Sequence, residues 1–98
     1  MDRDSVLATL RAHERELRAA GILSLSLFGS VARGDANDQS DVDLMADFDR
    51  AKKLSLLAAV GLENKLSDIL GVKADLSQRE TLKPEVLQRA TREAVLVF

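Results

Sequence analysis

The chain has 98 residues, 46% of them hydrophobic and 31% charged, so a single domain spanning 1–98 is expected, with a modest core. A net charge of −2, from 14 basic and 16 acidic residues, together with 3% aromatics and neither Trp nor Tyr, argues against direct nucleic-acid binding by charge or by base stacking. Cysteine is absent, no apolar run reaches the roughly 18 residues of a membrane span, and Met1-Asp2-Arg3-Asp4 lacks a secretory layout, so no disulfide, no membrane partner and a cytoplasmic location are expected.

Along the chain, Leu7, Leu10 and Leu17 recur at helical spacing between Asp2 and Ala20, with Asp4 or Ser5 as the cap and Gly21 as the stop. Ile22 to Phe28 then alternates, Leu23, Leu25 and Leu27 on one side and Ser24, Ser26 and Phe28 on the other. Such a strand suits a sheet covered by helices on one face only. Gly29-Ser30 turns the chain, and 34–39 reads as a polar loop. Alternation returns from Asp41 to Phe48, with Val42, Leu44, Ala46 and Phe48 inward. A helix from Leu54 to Leu70 ends at Gly71, and a short strand covers Val72 to Leu76. Pro84 opens a last helix, and the apolar tail Ala94 to Phe98 is either a docked strand or a partner contact.

Six aspartates, Asp35, Asp38, Asp41, Asp43, Asp47 and Asp49, lie between Arg33 and Arg50 without a basic residue among them. Residues two apart on a strand share a face, so Asp41 and Asp43 project opposite Val42 and Leu44. By the same parity Lys73 and Asp75 project opposite Val72, Ala74 and Leu76. If those strands are neighbours, about 4.8 Å apart, three carboxylates converge and call for a cation. Hard oxygen donors suit Mg²⁺, and two such ions can clamp the attacking and leaving oxygens of a phosphoryl-type displacement. An EF-hand is excluded, because Met45, Ala46 and Lys52 stand where its oxygen ligand, glycine and glutamate belong. Asp35, Asp38, Asp47 and Asp49 read as solvated.

The turn Gly29-Ser30-Val31-Ala32-Arg33-Gly34 has phosphate-loop glycine spacing, but Asp35-Ala36 replaces the lysine and hydroxyl residue of a Walker loop. Gly29 admits close backbone approach, Ser30 and the neighbouring N–H groups are phosphate donors, and Arg33 stands one turn on. An ordinary strand-to-helix turn with a solvated arginine is the plainer alternative. His13 reads as a surface residue, and the Arg/Glu alternation from Arg11 to Arg18 as a solvated helix face or, alternatively, a contact for a partner. Lys73 either neutralises the carboxylates or is simply exposed. Met45 shares the aspartate face.

The run GSVARGDANDQSDVD places Gly29-Ser30 ten residues before Asp41-x-Asp43, with Asp75 on a later strand. This resembles the DNA polymerase beta-like nucleotidyltransferase superfamily and, more narrowly, the minimal nucleotidyltransferase (MNT) antitoxins paired with HEPN toxins. The resemblance implies an α/β fold, a small mixed β-sheet with helices packed on one face. It implies catalytic and metal-holding roles for Asp41, Asp43 and Asp75, and nucleotide binding by Gly29, Ser30 and, more weakly, Arg33. It further implies two Mg²⁺ ions, ATP as substrate, and AMP transfer to a tyrosine hydroxyl of a HEPN-domain RNase toxin, which is thereby neutralised. With no Trp or Tyr, adenine stacking would fall to Phe28 or Phe48. The alternatives are an antitoxin acting by binding alone, or a nucleotidyltransferase acting on a small molecule or RNA.

Overall fold

The computed structural model describes residues 2–37, 40–52 and 55–98, so the expectations for Asp38 and for Leu54 lie outside the described residues. The first helical stripe is present but broken in two, α1 (Arg3–Ala12) and α2 (Glu14–Ala19), with His13 at the break. Val6, Leu7, Leu10 and Leu17 are buried. The cap is Asp2 rather than Asp4 or Ser5: its Oδ1 accepts the Ser5 N–H at 2.8 Å. His13 is half-buried at the helix break, with Nδ1 at 2.9 Å from the Thr9 carbonyl.

Four strands form one sheet. β1 (Ile22–Phe28) and β2 (Val42–Phe48) are antiparallel, with Leu27 opposite Leu44 and Phe28 opposite Asp43. β3 (Ala74–Gln78) runs parallel to β2, and β4 (Val95–Leu96) antiparallel to β1, giving the order β3-β2-β1-β4. Between the strands lie α3 (Gly29–Arg33), α4 (Leu56–Leu70) and α5 (Pro84–Glu93). Leu25, Leu27, Val42, Leu44, Ala46 and Ala74 meet the buried residues of α1, α2, α3 and α4 in one core on one face of the sheet. Among the described residues no helix is long and apolar enough to cross a membrane.

Several boundaries and faces differ from the sequence pattern. A register irregularity against β2 between Ile22 and Ser24 turns Ile22 into the core and leaves Leu23 52% exposed, so the expected Leu23–Leu25–Leu27 face is wrong at its first position. α4 begins at Leu56, where Ser55 Oγ accepts the Ala58 N–H at 3.0 Å, and it ends on Gly71 at φ +73° as expected. β3 starts two residues later than expected and runs on to Gln78. The aspartate face is covered at its centre. Ser26 and Met45 are buried there, α5 packs on β1 and α3, and Ala90 shares a cleft with Phe28.

The two sheet edges are handled differently. The β3 edge N–H groups of Ala74 and Leu76 donate to Ser67 Oγ (3.0 Å) and Glu63 Oε2 (2.8 Å) of α4. At the other edge the apolar tail docks as β4. Leu25 N–H donates to the Phe98 carbonyl at 3.0 Å, and Val97 N–H to the Leu25 carbonyl at 2.8 Å. Arg11 clamps this tail from α1, its Nε and Nη2 each 2.9 Å from the Val97 and Leu96 carbonyls. Arg18 pairs with Glu14, donates to the Leu23 carbonyl at 2.7 Å and lies over the Phe98 ring. The Arg/Glu face, expected to be solvated or a partner contact, thus holds the chain's own tail in place through Arg11 and Arg18.

Candidate active site

Antiparallel pairing brings the end of β1 against the start of β2, and parallel pairing brings the start of β3 beside it. Gly29, Asp43 and Asp75 thereby come to one end of the sheet, Asp43 directly opposite both Phe28 and Asp75. Asp41 sits just before β2, and its carboxylate and that of Asp75 both lie within 4 Å of the Lys73 ammonium. The Val42 N–H donates to the Lys73 carbonyl at 2.9 Å and fixes how the two aspartate-bearing segments meet. Gly29 has φ +76°, and a Cβ built there would run into Asp43 Oδ2 and lie 3.2 Å from its Cγ. Ser30 is half-buried on the first turn of α3, and that helix has no side-chain cap at its start.

The electrostatics are those of crowded carboxylates. Burial first, then the charges of Asp75 and Asp41, pushes the Asp43 carboxyl above its ordinary pKa, against the pull of Arg33. Burial also raises Asp75; Lys73 opposes this, and Asp41 adds to it. The Lys73 ammonium, largely exposed, stands 3.8 Å from Asp41 Oδ2 and 3.9 Å from Asp75 Oδ1. Among the described residues no three acidic or imidazole side chains close into a ready-made metal cage. The donor set is nonetheless the one a hard cation takes: carboxylate oxygens on neighbouring strands, open to solvent, so that a magnesium ion could keep waters and share a phosphate.

Arg33 is engaged elsewhere, 3.1 Å from Asp35 Oδ2 and 3.0 Å from Glu93 Oε2. Beside it a shallow cleft of about 170 Å³ is lined by Phe28, Gly29, Arg33, Val86, Arg89 and Ala90. Arg89 is a cation that spacing alone did not single out, because only the crossing of α5 carries it to the Gly29 turn. Phe48 lies at the other end of the sheet, opposite Ile22, in a cleft with Leu23, Arg50 and Gln78. Five residues of strand, roughly 17 Å, separate it from Asp43, so of the two phenylalanines only Phe28 borders the carboxylate end. Met45, on the aspartate face, is buried and cannot meet a base. Asp35 pairs with Arg33, and Asp47 with Arg79 at 3.2 Å.

Residues 10–97 match the nucleotidyltransferase domain family. The chain belongs to this family. This nucleotidyltransferase is 37% identical over 95 residues to the protein adenylyltransferase MntA of Thermococcus cleftensis, across 96% of this chain and 94% of the relative. A solved structure attributed to a minimal nucleotidyltransferase superposes with a TM-score of 0.81 at 33% identity, over 97% of this chain and 95% of the other. A solved complex of tri-AMPylated Shewanella oneidensis HEPN toxin with MNT antitoxin gives a TM-score of 0.70 at 18% identity, over 98% of this chain and 71% of the matched one, a likeness of fold. The mixed sheet with its helices is the minimal nucleotidyltransferase architecture.

Proposed function

We propose that this nucleotidyltransferase transfers AMP from Mg-ATP to a tyrosine hydroxyl of a HEPN-domain toxin, as the single-domain antitoxin of a cytoplasmic pair. The observation that carries this reading is the meeting of Asp41, Asp43 and Asp75 beside a glycine turn whose missing side chain leaves room for the Asp43 carboxylate. The adenylyltransferase name of the Thermococcus relative and the AMPylated toxin in the solved complex support the choice of reaction and acceptor.

Asp41, Asp43 and Asp75 would hold magnesium, in two ions, which supplies neutralisation of the charge on the attacking and leaving oxygens. Gly29 and Ser30 cradle the triphosphate with backbone N–H groups and the hydroxyl, and Arg89, or Arg33 on exchanging Asp35 and Glu93 for phosphate, adds a cation beside them. The tyrosine oxygen bonds to the α-phosphorus as the bond from that phosphorus to the pyrophosphate bridging oxygen breaks. Asp75 accepts the tyrosine proton, and pyrophosphate leaves. The cleft beside Gly29 is shallow, so the acceptor's own surface completes the site.

The test incubates the protein and its HEPN partner with Mg²⁺ and ATP labelled at the α- or the γ-phosphate, beside an Asp41→Ala/Asp43→Ala variant. Transfer of α-label alone, lost in the variant, is the expected result. Transfer of γ-label means a kinase and overturns the reading. A stable complex with no transfer, or full protection from the toxin by Asp43→Asn, points to neutralisation by binding alone.

A further inference from the structure

β3 is an edge strand only five residues long, and an edge of that length has little of its own to hold it still. Among the described residues only one neighbour, β2, pairs with it. Yet it carries Asp75, and a carboxylate on a sheet edge is positioned only as well as its backbone. The N–H groups on either side of Asp75, those of Ala74 and Leu76, face away from β2, where an edge strand normally presents unpaired donors. Both are taken by α4: Ala74 N–H by Ser67 Oγ at 3.0 Å, Leu76 N–H by Glu63 Oε2 at 2.8 Å.

The two acceptors are one unit. Glu63 and Ser67 are four residues apart, so they stack on one side of α4, adjacent to the buried stripe of Leu62, Leu66 and Leu70. Ser67 Oγ also donates to the Glu63 carbonyl at 3.1 Å, which orients the hydroxyl so that a lone pair faces the Ala74 N–H. Glu63 offers a carboxylate, and hydrogen bonds to an ionised acceptor are about twice as strong as neutral ones. Both side chains are half-buried and held by a fifteen-residue helix whose Leu66 is fully buried. Merely shielding an edge from other strands needs no such fixed pair; charges or a proline suffice.

We propose that Glu63 and Ser67 are positioning residues that clamp β3 on both sides of Asp75, holding its carboxylate in register with Asp43. This rests on the role proposed above for Asp75. Groups that orient metal-binding side chains cost on the order of 10–100-fold in metal affinity or activity when removed. Loss of the clamp should therefore act on the chemical step and on the divalent cation, while ATP binding through the Gly29 turn is spared.

Four readouts on the full chain test this: exchange rates of the Ala74 and Leu76 amides, Mn²⁺ affinity by electron paramagnetic resonance, and kcat and KM for AMP transfer. Glu63→Ala should speed Leu76 exchange, weaken Mn²⁺ about tenfold or more and lower kcat similarly, leaving KM for ATP within about twofold. Glu63→Gln keeps an accepting oxygen and should recover to within about threefold of the native protein. A Glu63→Ala protein that loses Leu76 protection yet binds Mn²⁺ and transfers AMP as the native chain does would reduce the clamp to a structural contact. Glu63→Gln impaired as badly as Glu63→Ala would also overturn the proposal. If Glu63→Ala fails to fold, Ser67→Ala decides: faster Ala74 exchange with weakened Mn²⁺ supports the clamp, and unchanged Mn²⁺ affinity overturns it. A native protein that transfers no AMP sinks the proposed function, while Mn²⁺ affinity and amide exchange still judge the clamp.

Discussion

Gly29 and Asp43 share a volume that only one of them can fill with a side chain. Asp43 stands opposite Phe28 in the antiparallel ladder, so its carboxylate swings across the next residue of β1's path, where Gly29 turns the chain at φ +76°. The glycine is needed twice, for a backbone conformation that other residues resist and for the space above its Cα.

Gly29→Ala should therefore be costly both to the fold and to the site. Left-handed strain alone amounts to about 1–3 kcal/mol, and the new methyl group also displaces the Asp43 carboxylate. Urea unfolding should show the loss, and AMP transfer should fall far more than stability does. In a Gly29→Ala/Asp43→Ala protein part of the lost stability should return, because the carboxylate that the methyl strikes is gone. Strictly additive losses would show that the contact carries no energy.

Asp43→Asn tests the crowded carboxylates from the other side. A carboxyl whose folded pKa lies above its unfolded value binds its proton more tightly when folded, so ionisation costs the fold stability above that raised value. The cost fades as pH falls through the raised value and is gone below the ordinary value of 3.8. Asp43→Asn should thus melt a few degrees above the native chain at pH 7 without divalent cation, with the gap closing in acid. AMP transfer should drop on the order of 10²–10³-fold. A native chain that is the more stable of the two at pH 7 would contradict the repulsion.

Lys73 stands within 4 Å of both Asp41 and Asp75 while mostly solvent-exposed. As an exposed counter-charge it would compete with a metal for the same oxygens. Lys73→Ala should change stability by under about 1 kcal/mol and lower the Mg²⁺ concentration needed for half-maximal transfer. A raised Mg²⁺ requirement would instead assign Lys73 to the triphosphate.

Arg11→Ala removes both hydrogen bonds that hold the Leu96 and Val97 carbonyls. The expected cost is about 1–2 kcal/mol, less than a buried charged pair of bonds because the guanidinium is partly wet. Faster amide exchange at Val97 and at Leu25, which bridge the tail and β1, should accompany it. An unchanged melting temperature with unchanged exchange would mean that Val97 burial alone secures the tail.

What the sequence made legible was whatever depends on local parity. Period two in β2 and β3 turns Asp43 and Asp75 away from the core residues beside them, while the meeting of the two strands was a condition and the place of the Gly29 turn beside them came with the family resemblance. What it hid depends on contacts distant in the chain. The bulge at Ile22–Ser24 is set by the partner strand, so Leu23 looked like a core residue. Met45 and Ser26 looked accessible because nothing local indicates that the face carrying them is covered by packing from distant chain. Arg33 looked free for phosphate because Glu93 is sixty residues away. The break at His13 is also unmarked, since Leu10 and Leu17 keep a helical spacing across it.

The irregularity sits at the end of β1 away from the Gly29 turn. From Leu25 to Phe28 the ladder then keeps step with β2, and Asp43 still faces the glycine. The step out of register is thus spent at the end of the sheet where Gly21 meets Asp49, and the end where the aspartates gather is left with an unbroken ladder.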